Sequence, residues 1–434
     1  MRFRFAFALC SLAVATAPVL ARQAPKGAAP AKPAAPAAAA APAFTVDKLW
    51  PMPLPNHWVY GSITGLAIDG RDHIFVATRP ASVAAGNEAG LMSNPPTAEF
   101  CCLAAPPMLE FDAAGTLVNS WGAAGAGYDW PTSTGGIALD AAGNIWITAA
   151  GAPEPAAAAA GATGVVPGAN RGGGAAPAAG TPAGARGEAA ANAGGRTGGR
   201  GETVIPGAEG APVAAAPGRG GNAGPAAPAD AHILKFTRDG KFVMQIGKPG
   251  DTGARDSQTQ LDKPADVFVD GNELYVADGG THQRVVVFDA TTGAFKRQWR
   301  GNGGDFQRIS SITVSKDGMV YVGDRKANKV QIFKKDGSFV KELEVAKGTL
   351  ANGSVWDVFV SNDAAQRWLF VADGQNSTVR VFSRSTLKPV GTIGDGGRWP
   401  GRFYAVNNLA MDSKGNLYTG EGYEGKRVQK FVKK

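Results

Sequence analysis

Histidine and cysteine are the scarce residues of this chain, four and three among 434. That scarcity excludes a good deal. Cys101 and Cys102 are adjacent and no second pair exists, so a zinc knuckle or ribbon, which needs two separated ligand pairs, is ruled out. A disulfide framework is ruled out on the same count. Long apolar runs are missing beyond the first 21 residues, so nothing after them has the length of a spanning helix. The glycines between residues 172 and 224 are followed by no helix pattern and do not form a phosphate loop, and no nucleophile is paired with a base in any recognisable spacing.

The chain opens MRFRFAFALCSLAVATAPVLA, two arginines followed by an apolar run and the small-residue site Val19, Leu20, Ala21. This reads as a signal peptide over 1–21, and Leu9 before Cys10 is too large for a lipoprotein cleavage site. A secreted or periplasmic location is expected, with no transmembrane segment after cleavage. In that oxidising setting Cys101 and Cys102 are left with a vicinal disulfide, an intermolecular bond or free thiols. Residues 22–43 are an Ala/Pro-rich linker. Residues 152–229 are an Ala/Gly/Pro tract with too little apolar surface to offset its ordering entropy, and disorder is expected there. The formal charge of +8 would suit nucleic acid, but part of it lies in the leader, in the tract and in the tail GKRVQKFVKK. Export makes nucleic acid an unsuitable partner, and a small molecule, a peptide or an envelope component is expected instead.

The remaining sequence, 44–434 without the tract, repeats. ITGLAID, GGIALD, ADVFVD, SSITVS, WDVFVS and NNLAMD end at Asp69, Asp140, Asp270, Ser315, Ser361 and Asp412. Each is followed by a polar turn and a second apolar strand, such as HIFVATR or ELYVADG. A third strand then places Phe111, Phe236, Phe288, Phe333, Phe382 and Phe431 at one equivalent position. Five units continue into a fourth strand; the sixth stops three residues after Phe431, and FTVDKLW (44–50) is placed to complete it. The expected fold is all-β, a six-bladed β-propeller of four-stranded blades closed by an N-terminal strand. Both insertions, 81–107 and 152–229, join a second strand to a third and therefore belong on one face, which they share with the aromatic-rich interblade loops.

The stretches KPADVFVDGNELYVADGGTHQRVVVFDATTGAFKRQW and MVYVGDRKANKVQIFKKDGSFVKEL resemble NHL repeats. Among NHL proteins the ordered series looks most like the six-bladed lyase domain that cleaves peptidyl-α-hydroxyglycine. The resemblance implies a zinc held by three histidines from first strands, with an arginine and a tyrosine beside it. Carried over position by position, the histidines fall at Gly135, Ser310 and Asn407 and the tyrosine at Gly280, so zinc is not expected in this chain. Of the four histidines present, His282 alone lies near the face in question, while His57, His73 and His232 fall elsewhere. Arg79 and Arg325 do persist at the ends of second strands, suited to an anionic group such as a carboxylate.

First strands line a propeller's channel, and two of them carry Asp266 and Asp357 at the same blade position. Either the pair holds a hard cation, most suitably calcium, or each accepts hydrogen bonds from neighbouring blades. Asp278, Asp324 and Asp373 recur blade after blade and read as turn caps. Trp130, Trp356, Trp399 and Tyr404 either line a ligand surface or pack between blades. Two functions follow: a binding module on a lyase-like scaffold, or a metal-dependent enzyme of lyase or lactonase type.

Overall fold

The computed structural model describes residues 41–84, 86–151 and 229–434. The leader 1–21, the linker up to residue 40 and the tract 152–228 lie outside the described residues. Among the described residues no helix is long and apolar enough to cross a membrane.

Six four-stranded antiparallel sheets form the architecture. Blade 1 is Ser62–Ile68, Ile74–Arg79, Met108–Phe111 and Leu117–Trp121; blade 3, the most regular, is Pro264–Asp270, Glu273–Asp278, Arg284–Asp289 and Phe295–Trp299. Blades 2, 4 and 5 follow the same order, starting at Thr134–Leu139, Ile309–Val314 and Asp357–Val360. Blade 6 takes three strands from the C-terminal end, beginning with Val406–Met411, and its fourth from Phe44–Asp47. Phe44 pairs Lys433 and Asp47 pairs Lys430, so the last edge is covered within the chain.

Turn chemistry sets the hairpins between first and second strands. Asp69 accepts the amides of Arg71 and His73, Asp140 those of Ala142 and Asn144, and Asp412 those of Lys414 and Asn416. A short side chain accepting two and four residues ahead stabilises a tight reversal. The six in-register phenylalanines are all buried, none above 5% exposed. In the five blades whose third and fourth strands are consecutive in sequence, a register shift falls at that phenylalanine. The core accordingly forms wedges between adjacent blades. Tyr275 and Val287 of blade 3, for example, pack with Ile312, Val322 and Phe333 of blade 4.

The first strands carry a second irregularity that the sequence pattern conceals. Each register shift gives the first strand an extra residue near its start: at Thr64 in blade 1, Ala265 in blade 3, Ser310 in blade 4 and Asn407 in blade 6. Blade 2 gains one residue in the same place, where Gly135 and Gly136 stand opposite Thr148. A bulge re-aims the side chains around it, and all of these residues face the central channel.

The carboxylates closing the second strands anchor more than their own turns. Asp278 accepts the Asp262 amide at 2.8 Å and Asp324 the Arg308 amide at 3.0 Å, which ties each incoming interblade loop down. Asp278 also holds Arg284 at 2.8 Å, Asp373 holds Arg380 at 2.7 Å, and Glu421 holds Arg427 at 2.6 Å. These acids are structural, as their recurrence implied. The described residues of the insertion at 81–107 contribute two short 3-10 turns, a vicinal disulfide between Cys101 and Cys102, and Leu103–Ala104 paired in parallel with Trp58–Val59.

Candidate functional site

The channel is divided in two. An upper cavity of about 560 Å³ opens where the second strands end, and a lower one of about 220 Å³ runs among the first strands toward the opposite face. The two share only Gly136, Asp266, Asp357 and Asn408, which form the neck. Below the neck Leu66, Val267, Phe268 and Met411 are among the lining residues, and the wall exposes polar and apolar surface about equally. Above the neck the walls are basic: Arg79, Lys263, Arg308, Arg325 and Lys326 all line the upper cavity.

Arg79 and Arg325, on different blades, are thus brought to one cavity. Arg79 reaches the Thr134 carbonyl at 3.4 Å, and its Nε is buried without a hydrogen-bond partner among the described residues. Burial lowers its proton affinity, partly opposed by the nearby Tyr423 and Asp230. Arg325 donates from Nε to the Asn352 carbonyl at 2.8 Å and stacks over Trp356, 3.6 Å from the ring centre. Trp356 in turn is fixed by a 2.7 Å bond from Nε1 to the Gly353 carbonyl and meets the Tyr423 ring, centroids 5.7 Å apart. A planar cation laid on an indole, next to a second guanidinium and a phenol, is suited to an anion that also carries a flat group.

The other aromatic candidates stand elsewhere. Trp130 packs against Trp121, Tyr128 and Phe236 in the wedge between blades 1 and 2. Trp399 is 79% exposed, and Tyr404 lies beneath Arg398, 4.6 Å from the guanidinium; neither lines the cavity. Interblade loops rich in aromatics looked like a ligand surface, but their side chains turn to the wedge or to solvent. The residue that pattern reading missed is Tyr423. It sits in the loop GEGYEG of the last blade, two residues after Glu421 as Gly280 is two residues after Asp278, so the repeat register marks it, though in a different blade from Gly280.

The three positions where histidines would lie do line the upper cavity, yet they do not suit zinc. A Cβ on Gly135 would come 2.3 Å from the Thr148 hydroxyl, so even alanine needs a shift there. Ser310 spends its hydroxyl on the Val355 carbonyl at 2.8 Å. Asn407 offers one amide oxygen, buried without a hydrogen-bond partner among the described residues. His282 is buried against Asp278, Nδ1 to Oδ2 2.8 Å, away from the cavity, and His232 is bonded to the Asp129 carbonyl at 2.7 Å. Among the described residues no group of three or more His, Cys, Asp or Glu is placed to hold a metal.

The neck is acidic. Asp266 accepts the Ile312 amide of the next blade at 2.9 Å, and Asp357 accepts the Leu409 amide of its next blade at 2.7 Å. Burial pushes Asp266 up to about 7. Asp357 is raised well above the usual carboxylate range by burial and then by the negative charge of Asp266. Such a pair resists carrying two charges at neutral pH. Asn408 Nδ2 donates to the Thr64 carbonyl at 3.1 Å, while its Oδ1 is buried and has no hydrogen-bond partner among the described residues.

With this geometry in hand, the likeness to known proteins can be placed. No family model matches the chain. Over 177 residues it is 29% identical to NHL repeat-containing protein 3 of Mus musculus and 27% identical to the protein of that name of Homo sapiens, in each case 38% of this chain and 46% of the relative. The chain therefore matches about half the length of these curated relatives. Among solved structures, a streptogramin B lyase superposes with a TM-score of 0.45 at 9% identity, covering 90% of this chain and 98% of that one. Virginiamycin B lyase from Staphylococcus aureus gives 0.44 at 10% identity, covering 90% and 99%. The chain is a six-bladed β-propeller of NHL type, with NHL-repeat proteins among its relatives.

Proposed function

We propose that this is an exported binding propeller, working in the periplasm or outside the cell, whose upper cavity takes a small carboxylate-bearing molecule or the C-terminal end of a peptide. The carrying observation is Arg79, a half-buried guanidinium on the wall of a cavity that the further cations Lys263, Arg308, Arg325 and Lys326 also line. A hydrogen bond from such a charged donor to a carboxylate is worth about 1.5–3 kcal/mol. Arg325 on Trp356 supplies a second cationic contact and a flat surface. N-Benzoylglycine, a carboxylate next to an aromatic ring, is a minimal probe, and N-benzoylglycinamide is its uncharged control. The acid binds in isothermal titration and the amide does not; Arg79→Ala and Arg325→Ala each weaken binding about tenfold, the loss of one charged hydrogen bond. Equal binding of acid and amide refutes this reading.

A second reading is favoured by Asn408 Oδ1, buried without a hydrogen-bond partner among the described residues and beside Asp266 and Asp357. Two carboxylates and an amide oxygen suit a hard cation such as calcium, which would neutralise the neck and supply a Lewis acid for a lyase or lactonase reaction. Zinc has no place in it. Stabilisation of the purified chain by calcium, lost on chelation, supports the cation; thermal unfolding indifferent to both refutes it.

A further inference from the structure

The upper cavity straddles the seam of the ring. Arg79 belongs to blade 1 and Tyr423 to blade 6, two blades that pack on one another through Ile63, Leu66 and Ile74 against Ala410, Tyr418 and Val428. The insertion that begins just after Arg79 reaches back across this seam. Ser82 Oγ accepts the Ser62 amide at 2.7 Å and donates to the Arg79 carbonyl at 2.7 Å. The Ser62 hydroxyl donates to the Tyr423 carbonyl at 2.9 Å. Lys426, three residues beyond Tyr423, donates to the Ser82 carbonyl at 2.8 Å and pairs with Glu88, whose carboxylate also accepts the Ala84 amide at 2.8 Å.

The contact is close and specific. A Cβ on Gly61 would lie 1.9 Å from the Arg79 carbonyl oxygen, so only glycine lets the two chains meet there. Tyr423 and Lys426 both have left-handed backbones, φ 47° and 45°, a conformation that non-glycine residues hold only when their surroundings fix it. Lys426 is 13% exposed in this pairing, against 79–80% for Lys241 and Lys347 in the surface ion pairs with Asp239 and Glu344. This is a bond between two pieces of backbone and two side chains, far better defined than a surface ion pair.

We propose that Ser82, Ala84 and Glu88 form a strap that fixes the Tyr423 loop against Arg79, with Lys426 as a positioning residue and Tyr423 as the residue that gives the cavity its ligand specificity. The proposal rests on the carboxylate reading above. With Arg79 holding one carboxylate oxygen, the Tyr423 phenol donates to the anion from the facing blade, and its ring closes the aromatic side begun by Trp356. The insertion is therefore part of the site without lining it.

The test uses the full chain and N-benzoylglycine. Tyr423→Phe, which keeps the ring and removes the hydroxyl, weakens binding about tenfold, as loss of one hydrogen bond to a charged group does. Lys426→Met weakens it by a similar factor with an unchanged urea midpoint, Lys426→Arg restores it, and the Lys426→Met/Tyr423→Phe double variant binds no worse than Tyr423→Phe alone, because both act through one contact. Wild-type affinity in Lys426→Met, or losses that add in the double variant, overturns the proposal. If Lys426→Met does not fold, Glu88→Gln takes its place: weakened binding supports the strap and unchanged binding overturns it. A chain in which these variants bind like wild type while Arg79→Ala does not leaves the carboxylate reading standing; a wild-type chain blind to the probe removes both.

Discussion

Replacing Asp266 by Asn tests the neck directly. In the folded protein burial holds Asp266 at about 7, while an unfolded chain leaves an aspartate near ~4. The folded state therefore binds more protons between these two values. Stability from this group is fully present below pH ~4 and is lost as pH rises through about 7. An interval of about three pH units corresponds to about 4 kcal/mol. Asparagine retains an oxygen to accept the Ile312 amide and does not titrate. It also removes the negative charge that pushes Asp357 up. The stability difference between wild type and Asp266→Asn, read from urea midpoints in chelator-treated buffer, should thus move in favour of the variant by several kcal/mol from pH 4 to pH 8. Native-state titration by carbon NMR of the Asp266 carboxyl supplies the independent check. A difference that stays flat with pH refutes the claim that the neck is a desolvated acid pair. The same experiment in calcium separates the two readings of the neck: a bound cation holds both carboxylates ionised, and wild type then gains on the variant as pH rises.

Two further outcomes follow from the fold. Deleting residues 41–47 uncovers the edge of Val428–Lys433 and removes Phe44 and Val46 from the core beside Phe370 and Phe431, so the thermal midpoint should fall by about 10 °C or more, and an unchanged midpoint would mean that the ring does not close this way. Arg284→Leu removes the guanidinium from the wholly buried Asp278, leaving it the Asp262 amide and His282, and should cost about 3 kcal/mol in chemical denaturation, against less than about 1 kcal/mol for Lys241→Leu at the exposed pair with Asp239.

How much of this was legible beforehand depends on the range of the interactions involved. Phe111, Phe236, Phe288, Phe333, Phe382 and Phe431 announced six blades because each wedge imposes the same demand on the same strand position, and a demand repeated six times is visible in one chain. The missing sixth fourth strand and the surplus segment FTVDKLW announced the closure for a similar reason, since a sheet edge has to be covered. The loss of the three histidines was equally plain, because Gly135, Ser310 and Asn407 occupy repeat positions that can be counted. The site itself depends on residues that are neighbours only across the ring. Trp130, Trp399 and Tyr404 carried the right chemistry in the right loops and were turned away by local packing. Tyr423 stands at the repeat position of Gly280, two residues past the acid that closes the second strand, whereas Ser82 and Lys426 carry no signature, and what brings all three to Arg79 is the meeting of the first blade with the last. Repeat register is a local property, written into the order of residues; the contents of the channel are settled by closure, bulges and burial, which exist only once all six blades stand together.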